Sequence, residues 1–269
     1  MRVRPSFTAG LLAVAGAIFV ACGGGSGSPS SPSPNPTTPS VNVCGVLGAP
    51  STTSIINGSE CSTANSPVVL MNMRDANGAI GSCSGTIIAP RAILTAAHCV
   101  KDGATIILVF LGSGDQIAAQ SWVAHPSYTG TGSNSPDVAV LSMPVDLPRT
   151  PMPLLTSRDA RVGEQVIVAG WGNDFNGSGS HVHRAGATTL SGVGALFLQT
   201  TYSPTSASIC QGDSGGPLFV QENGVWAIAG VTSAASDVSC NTGTQFYVAV
   251  RNSAVQSFIL GQAPNATQR

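Results

Sequence analysis

The hydrophobic residues between positions 55 and 262 occur in short runs that are separated by glycine, proline, asparagine and serine. Runs of this length are typical of β-strands, and the regularly spaced turn residues between them favour an all-β barrel or sandwich. The runs include residues 68–71, 86–88, 106–111, 138–141, 165–169, 195–200, 217–220, 225–231 and 246–250.

One late segment, residues 252–260, follows a helical pattern instead. Val255, Phe258 and Ile259 are three and four positions apart, which places them on one face of a helix. We therefore predict a C-terminal helix here, followed by a short tail over residues 263–269.

The first 21 residues have the pattern of an export signal. Arg2 and Arg4 precede an apolar stretch over residues 9–21, which is too short for a comfortable membrane span. Ala21 lies directly before Cys22, an arrangement that resembles the cleavage site of bacterial lipoproteins and predicts a lipidated Cys22. An ordinary secretory signal that is cut near Ala21 is the alternative.

Residues 23–41 are almost entirely glycine, serine, proline, threonine and asparagine. Such a stretch cannot bury enough apolar surface to fold, and it predicts a disordered spacer. We divide the chain into a signal peptide (1–21), a lipid-attachment site with spacer and propeptide (22–54), a folded domain (55–262) and a tail (263–269). The protein is expected to be exported, as a cell-surface or periplasmic lipoprotein or as a secreted protein.

The low charge of the chain excludes some classes of partner. Charged residues make up only 9% of the sequence and the net charge is −1, whereas roughly 25% of an average soluble protein is charged. A nucleic-acid partner would require a basic surface, so we expect none. Contact with a membrane is expected only through the lipid on Cys22.

We expect neither a metal nor a cofactor. The cysteine and histidine spacings contain no CxxC pair typical of zinc, and residues 102–116 contain no carboxylate pair suited to calcium. His181 and His183 are predicted to lie in a solvated loop. His125 precedes a proline in a turn and is expected to be structural.

The segment 210–217, with the sequence CQGDSGGP, is the strongest candidate for chemistry. Its glycines permit tight turns that a side chain would obstruct. Such a turn can expose the Ser214 hydroxyl and direct the N–H groups of Gly212 and Ser214 at one point, where an oxyanion would sit. Serine needs a base to act as a nucleophile. His98 is the candidate because its ordinary pKa of about 6.5 suits proton transfer, and Asp137 would orient it.

The order histidine, aspartate, serine, with the motif around each residue, resembles that of the chymotrypsin-like (trypsin-fold) serine endopeptidases. The resemblance covers about Ile55 to Gln262 and includes IING at 55–58, CSGTII at 83–88 and GWG at 170–172. It implies two packed six-stranded Greek-key β-barrels, the first with His98 and Asp137 and the second with Ser214. It also implies protein or peptide substrates bound between the barrels, and we expect a monomer.

The resemblance assigns roles to further residues. Asp213 would pair with the new α-ammonium group of Ile55 after cleavage of the bond that follows Ser54, and this ion pair would order the oxyanion loop. Relatives commonly carry Arg or Lys in place of Ser54, so the activating protease should not be trypsin-like. Ser233 resembles the serine whose hydroxyl faces the catalytic aspartate and whose carbonyl pairs with the substrate main chain.

The specificity pocket is also inferred from the resemblance. Its floor would be Ser208, six residues before Ser214, where trypsin-type enzymes carry aspartate. Without that charge, a buried Lys or Arg of the substrate would lack a partner. The walls would include Ala235 and Gln245, where relatives often have glycine. We therefore expect cleavage after a small or medium neutral residue.

The chain has seven cysteines, and the export signal predicts disulfides. If Cys22 carries lipid, six remain, and the resemblance implies the pairs Cys83–Cys99 and Cys210–Cys240. The segment that begins at Cys44 resembles the start of the chymotrypsinogen activation peptide, whose partner cysteine lies between the two domains. Since no cysteine lies between residues 99 and 210, Cys61 is the expected partner. The alternative is a Cys44 that is unpaired or bonded to another molecule.

These observations predict an exported serine endopeptidase. One alternative is a catalytically silent protease-fold binding module, although such modules usually lose a triad residue or the Gly-Asp-Ser-Gly turn. The other is a permanently inactive zymogen, because the bond after Ser54 is not an obvious cleavage site.

Overall fold

A computed structural model describes residues 42–48, 51–55, 58–101, 103–112, 114–130, 134–174 and 181–269. The predicted signal peptide, Cys22 and the spacer over residues 23–41 lie outside these residues. No helix in the described part of the chain is long and apolar enough to cross a membrane.

The first half of the folded domain is a seven-stranded antiparallel sheet. The strands are β3 (Val68–Asp75), β4 (Ile80–Ala89), β5 (Ala92–Thr95), β6 (Ala104–Phe110), β7 (Gln116–Ala118), β8 (Ser121–Ala124) and β9 (Ala139–Ser142). Their order in the sheet is β7-β6-β3-β4-β5-β9-β8. The sheet packs around buried aliphatic side chains such as Met71, Ile87 and Leu141.

The second half is a closed six-stranded barrel. Its order is β11-β10-β13-β14-β15-β12, and β12 pairs back to β11. Leu218, Ala227 and Tyr247 are among the fully buried residues of its interior. The strands are β10 (Gln165–Gly170), β11 (Arg184–Val193), β12 (Phe197–Thr201), β13 (Pro217–Glu222), β14 (Val225–Ala235) and β15 (Thr244–Ala249). The predicted all-β fold of two barrels is confirmed, although the described hydrogen bonds leave the first barrel open.

A hairpin extends the second sheet on its outer side. It consists of β1 (Ser51–Ile55) and β2 (Gly58–Cys61), in which Ser54 pairs with Ser59 and Ile55 with Gly58. Strand β2 pairs with β11, and β1 is the last strand of the sheet. The predicted cleavage bond between Ser54 and Ile55 therefore lies in an edge strand.

Residues that precede this bond belong to the core of the folded domain. A 3₁₀-helix spans Gly45–Leu47. Cys44 and Leu47 are almost fully buried, and they lie in the same apolar cluster as Val68, Ile88 and Trp171. The domain boundary predicted at residue 55 therefore cuts through this core, because the expected propeptide contributes buried residues to it.

The predicted C-terminal helix is present as α2 (Ser253–Gln262), and a shorter helix α1 spans His98–Lys101. Asn252 caps α2, because its side-chain oxygen accepts hydrogen bonds from the N–H groups of Ala254 and Val255. Residues 263–269, predicted only as a tail, include the buried Ala263 and Ala266, which belong to an apolar cluster with residues of both sheets. The main chain of Arg269 also exchanges hydrogen bonds with residues 154–157.

Three disulfides join the expected cysteines: Cys44–Cys61, Cys83–Cys99 and Cys210–Cys240. The first links the buried 3₁₀-helix to β2, and the second fixes α1 to β4. The third ties the segment before Ser214 to the loop after β14. Three disulfides in one domain fit an extracellular location, because cytosolic thiols are kept reduced.

Candidate active site

His98 and Asp137 are joined by two hydrogen bonds. The main-chain N–H of His98 donates to Oδ1 of Asp137 over 2.8 Å, and Nδ1 of the ring lies 2.7 Å from Oδ2. Ser233 donates to the same Oδ2 over 2.7 Å. Since a carboxylate only accepts hydrogen bonds, Nδ1 of His98 is the donor in this contact. Asp137 is buried, whereas the side chain of His98 is 22% exposed.

The segment around Ser214 forms a tight turn that depends on glycine. Gly212 and Gly215 have φ angles of 96° and 79°, which side chains rarely tolerate. A Cβ on Gly215 would lie 2.1 Å from Oγ1 of Thr95. The Ser214 turn therefore packs directly against the strand that leads to His98, and the three residues of the predicted triad come from segments in mutual contact.

The predicted oxyanion donors are available. Within the described part of the chain, neither the N–H of Gly212 nor that of Ser214 donates a hydrogen bond to the protein. The carbonyl oxygen of Asp213, between them, accepts from the N–H of Gly216 over 2.8 Å, which holds the turn closed. The Ser214 hydroxyl also has no hydrogen-bond partner among the described residues, and catalytic hydrogen bonds often tighten only when substrate binds.

Asp213 points away from Ser214, into the protein. Its carboxylate accepts hydrogen bonds from the N–H groups of Gly172 and Cys210, each over 2.8 Å. Burial raises the pKa of Asp213 to about 6, although these N–H groups and the charge of Arg184 act in the opposite direction. A cavity of about 650 Å³ lies beside the carboxylate and is lined also by Glu60 and Arg184. Neither His98 nor Ser214 lines this cavity.

The residues predicted for the specificity pocket occupy different environments. Ala235 and Gln245 lie opposite each other on β14 and β15. The Gln245 amide is buried, and its oxygen accepts a hydrogen bond from Oγ1 of Thr200 over 2.9 Å. Ser208 is half-buried and lines the cavity beside Asp213.

One cluster near the site has the composition of a metal site but not its chemistry. Cys83, His98 and Cys99 place a ring nitrogen and two sulfurs within 4.8 Å of one another. The two sulfurs form a disulfide. Since a cysteine binds a metal as a thiolate, these sulfurs are not available as metal ligands.

The prediction for His183 is wrong. Only 2% of its surface is exposed, whereas a solvated loop was predicted. Its main-chain carbonyl accepts a hydrogen bond from Cys61, and its ring contacts Trp171 and the hydroxyl of Ser66. Burial lowers the pKa of His183 to about 4. His125 is buried against Phe258, and burial lowers its pKa as well.

His98 and Asp137 lie in the first barrel and Ser214 lies in the second. The sequence model of the trypsin family matches residues 55–259, which is most of the chain. The chain belongs to the trypsin family. It is an enzyme of the serine endopeptidase class, and its substrates are proteins or peptides.

Individual relatives support this membership. The chain is 30% identical to serine protease SP24D of Anopheles gambiae over 190 residues, which cover 62% of this chain and 67% of that protein. It is 29% identical to a trypsin of Saccharopolyspora erythraea over 175 residues, 56% of this chain and 74% of that one. The HL collagenase structure superimposes with a TM-score of 0.67 at 22% identity, over 78% of this chain and 99% of the collagenase. At that identity, the likeness concerns the fold alone.

Proposed function

We propose that this trypsin-family protein is an active, exported endopeptidase that cleaves peptide bonds through an acyl-enzyme on Ser214. The observation that carries the proposal is the arrangement of His98 and Asp137, in which Nδ1 donates to the carboxylate, beside a glycine turn that carries Ser214. A protease-fold module without activity would not need to keep, on that turn, two N–H groups without a hydrogen-bond partner among the described residues.

Each group has a defined task in the proposed reaction. Oγ of Ser214 attacks the carbonyl carbon of the substrate and gives its proton to Nε2 of His98. Asp137 stabilises the imidazolium that results, and the N–H groups of Gly212 and Ser214 bind the oxyanion. His98 then gives the proton to the leaving amine. Water repeats the sequence on the acyl-enzyme and frees Ser214.

Activation is proposed to require a new N-terminus at Ile55. The family match begins at this residue, and Gly58, three residues later, lines the cavity beside Asp213. An α-ammonium group in that cavity would give the buried carboxylate the cation that burial makes necessary. The ion pair would then hold the turn that carries Ser214.

The remaining parts of the proposal concern the position and specificity of the enzyme. Export as a lipoprotein through Cys22 is supported by the sequence at residues 1–22, and the protein is proposed to act as a monomer. Cleavage after a small or medium neutral residue is supported by the uncharged Ser208 and by Gln245, which replaces the glycine that is frequent in relatives.

A fluorophosphonate probe tests the proposed function, because it reacts only with an activated serine. The full chain is labelled before and after cleavage, with N-terminal sequencing to identify the new terminus. We expect labelling of Ser214 only in molecules that begin at Ile55. Asp213→Asn, which leaves the triad intact, should prevent labelling after cleavage. Full labelling of a chain that still begins before Ser54 would contradict the activation step, and no labelling of the cleaved chain would favour the silent module.

A further inference from the structure

Ser84 connects the first barrel to the turn that carries Ser214. It lies in β4, next to Cys83, and is fully buried. Its hydroxyl donates a hydrogen bond to the carbonyl oxygen of Gly212 over 2.9 Å and accepts one from the N–H of Trp171 over 2.9 Å. The single proton of this hydroxyl is therefore donated to Gly212. The N–H of Trp171 donates to the hydroxyl oxygen and so helps to orient the hydroxyl group.

The main chain of Ser84 holds a second point of the same turn. Its N–H donates to the carbonyl oxygen of Ser214 over 2.8 Å, and its own carbonyl accepts from the hydroxyl of Thr95 over 2.8 Å. Ser84 therefore binds the carbonyl groups of the two residues, Gly212 and Ser214, whose N–H groups form the proposed oxyanion site. Thr95 lies three residues before His98, so the same contacts connect this site to the catalytic base.

The position of Gly212 depends on such contacts from outside. Glycine has the greatest main-chain freedom of all residues, and no side chain of its own restrains it. The N–H of Trp171 also connects Ser84 to the segment in which Gly172 binds Asp213. The Ser84 hydroxyl lies at the point where the proposed activation residue, the oxyanion donors and the first barrel meet.

We propose that Ser84 is a positioning residue, whose hydroxyl holds the oxyanion donors of Gly212 and Ser214 in place relative to His98. The inference rests on the proposed function, since it assigns Ser84 to that reaction. Loss of an oxyanion donor costs about 10²–10³ in kcat. Loss of the group that holds such a donor should cost less, about ten- to a hundredfold.

The test compares the activated full chain with Ser84→Ala and Ser84→Thr, and uses Thr232→Val as the control. The buried hydroxyl of Thr232 has no partner in the described part of the chain, so its isosteric replacement removes no hydrogen bond. Turnover of a peptide amide is expressed per site titrated with fluorophosphonate, which excludes unfolded molecules. Two inhibitors of the same sequence are compared: a peptide aldehyde, which forms an oxyanion on Ser214, and the corresponding peptide alcohol, which cannot.

We expect Ser84→Ala to lower kcat about ten- to a hundredfold and to leave KM within about twofold of the parent value. The same variant should bind the peptide aldehyde more weakly, whereas its affinity for the peptide alcohol should not change. Ser84→Thr, which keeps the hydroxyl, should recover part of kcat, and Thr232→Val should behave like the parent. A kcat within twofold in Ser84→Ala, or an equal loss of affinity for both inhibitors, would overturn the inference.

Two further variants make the result unambiguous. Ser84→Gly removes the same hydroxyl and replaces Ser84→Ala if that variant does not fold. Ser214→Ala separates this inference from the proposed function: a Ser214→Ala protein that still hydrolyses the amide refutes both, whereas an inactive Ser214→Ala protein beside a fully active Ser84→Ala protein refutes the role of Ser84 alone.

Discussion

Asp137 binds His98 at both its main chain and its ring, with 2.8 Å to the N–H and 2.7 Å to Nδ1. The two contacts fix the position of the residue and the orientation of its imidazole independently. Ser233 then occupies a remaining acceptor site of the same carboxylate. A buried carboxylate with three donors stays in place when the imidazole becomes charged, which is the requirement for a base that must take up and release a proton.

The first prediction concerns the reaction itself. Ser214→Ala and His98→Ala should each lower turnover of a peptide amide by about 10⁶-fold, because the members of such a triad act as one unit. The unfolding temperature of both variants should stay close to that of the parent, since neither side chain belongs to an apolar core. Near-normal turnover in either variant would refute the proposed mechanism.

A second prediction distinguishes two reasons why position 215 on the Ser214 turn is glycine: its positive φ angle and its close contact with neighbouring residues. Gly215 and Gly224 have the same φ of 79°, but a Cβ on Gly215 would collide with Thr95 and Ser84, whereas one on Gly224 would meet nothing within 4 Å. Gly224→Ala should cost only the left-handed strain, about 1–2 kcal/mol, and keep activity. Gly215→Ala should displace Ser214 and abolish turnover. Equal activity in the two variants, measured with a peptide amide, would show that the close contact is unimportant.

Much of this fold could be predicted because burial follows apolar runs. The predicted runs correspond to strands β3, β4, β6, β9, β10, β12, β13, β14 and β15. The longest strand missed was β11, whose sequence RAGATTLSGV contains mostly small or polar residues. Its main-chain hydrogen bonds to β10, β12 and β2 stabilise it, and such bonds do not require an apolar run in the strand itself.

The candidate site could be proposed only where a motif pointed to it. His98, Asp137 and Ser214 were proposed from their motifs, and the structure brings the ring of His98 into contact with Asp137. The burial of His183, in contrast, depends on a contact with Cys61, 122 positions away. The only sequence feature that points to the proposed role of Ser84 is its position next to Cys83. That signal could not identify Gly212, which lies 128 positions further along the chain.

The third prediction concerns specificity. Substrates with Ala, Val or Leu before the cleaved bond should be cleaved faster than those with Lys or Arg, because Ser208 offers no charge to pair with a buried cation. Ser208→Asp should shift the preference towards Lys and Arg. A peptide library measures both enzymes, and Gln221→Glu, which adds the same charge on an exposed strand position, serves as the control. A clear preference of the parent for Arg would contradict the assignment of the pocket.

The fourth prediction concerns Asp213 and His183, whose effects on stability oppose each other. The pKa of Asp213 is raised from 3.8 to about 6, so its contribution to stability is present below pH 3.8 and is lost as the pH rises to about 6. The pKa of His183 is lowered from 6.5 to about 4, so its contribution is present above pH 6.5 and is lost as the pH falls to about 4. Each contribution changes the free energy of unfolding by about 3 kcal/mol across its pH range.

In the uncleaved protein these two contributions should change in opposite directions between pH 4 and 6.5. Asp213→Asn should leave a free energy of unfolding that rises with pH in this range, and His183→Gln should leave one that falls. Urea unfolding in the Ser214→Ala background, which prevents self-cleavage, provides the measurement. Identical pH profiles in the two variants would rule out the opposing pair.

The last prediction concerns the segment before the proposed cleavage bond. After the Ser54–Ile55 bond is cut, residues 42–48 can be held by the Cys44–Cys61 disulfide and by the packing of Val46 and Leu47. Burial of two such side chains contributes about 3–6 kcal/mol, and about 4 kcal/mol corresponds to a dissociation constant near 1 mM. The packing of these two side chains alone is therefore too weak to retain the segment at enzyme concentrations well below about 1 mM, and we expect the disulfide to do so.

If Cys22 carries lipid, the cleaved enzyme should accordingly stay with the membrane fraction through this disulfide. Cys61→Ser should release active protease into the medium, whereas Leu47→Ala, which weakens the packing but keeps the disulfide, should not. Gels run with and without a reducing agent test the covalent link independently of the lipid: the parent should separate into two chains only after reduction. Equal release from the parent and from Cys61→Ser would eliminate the tether, because the disulfide is the only difference between them.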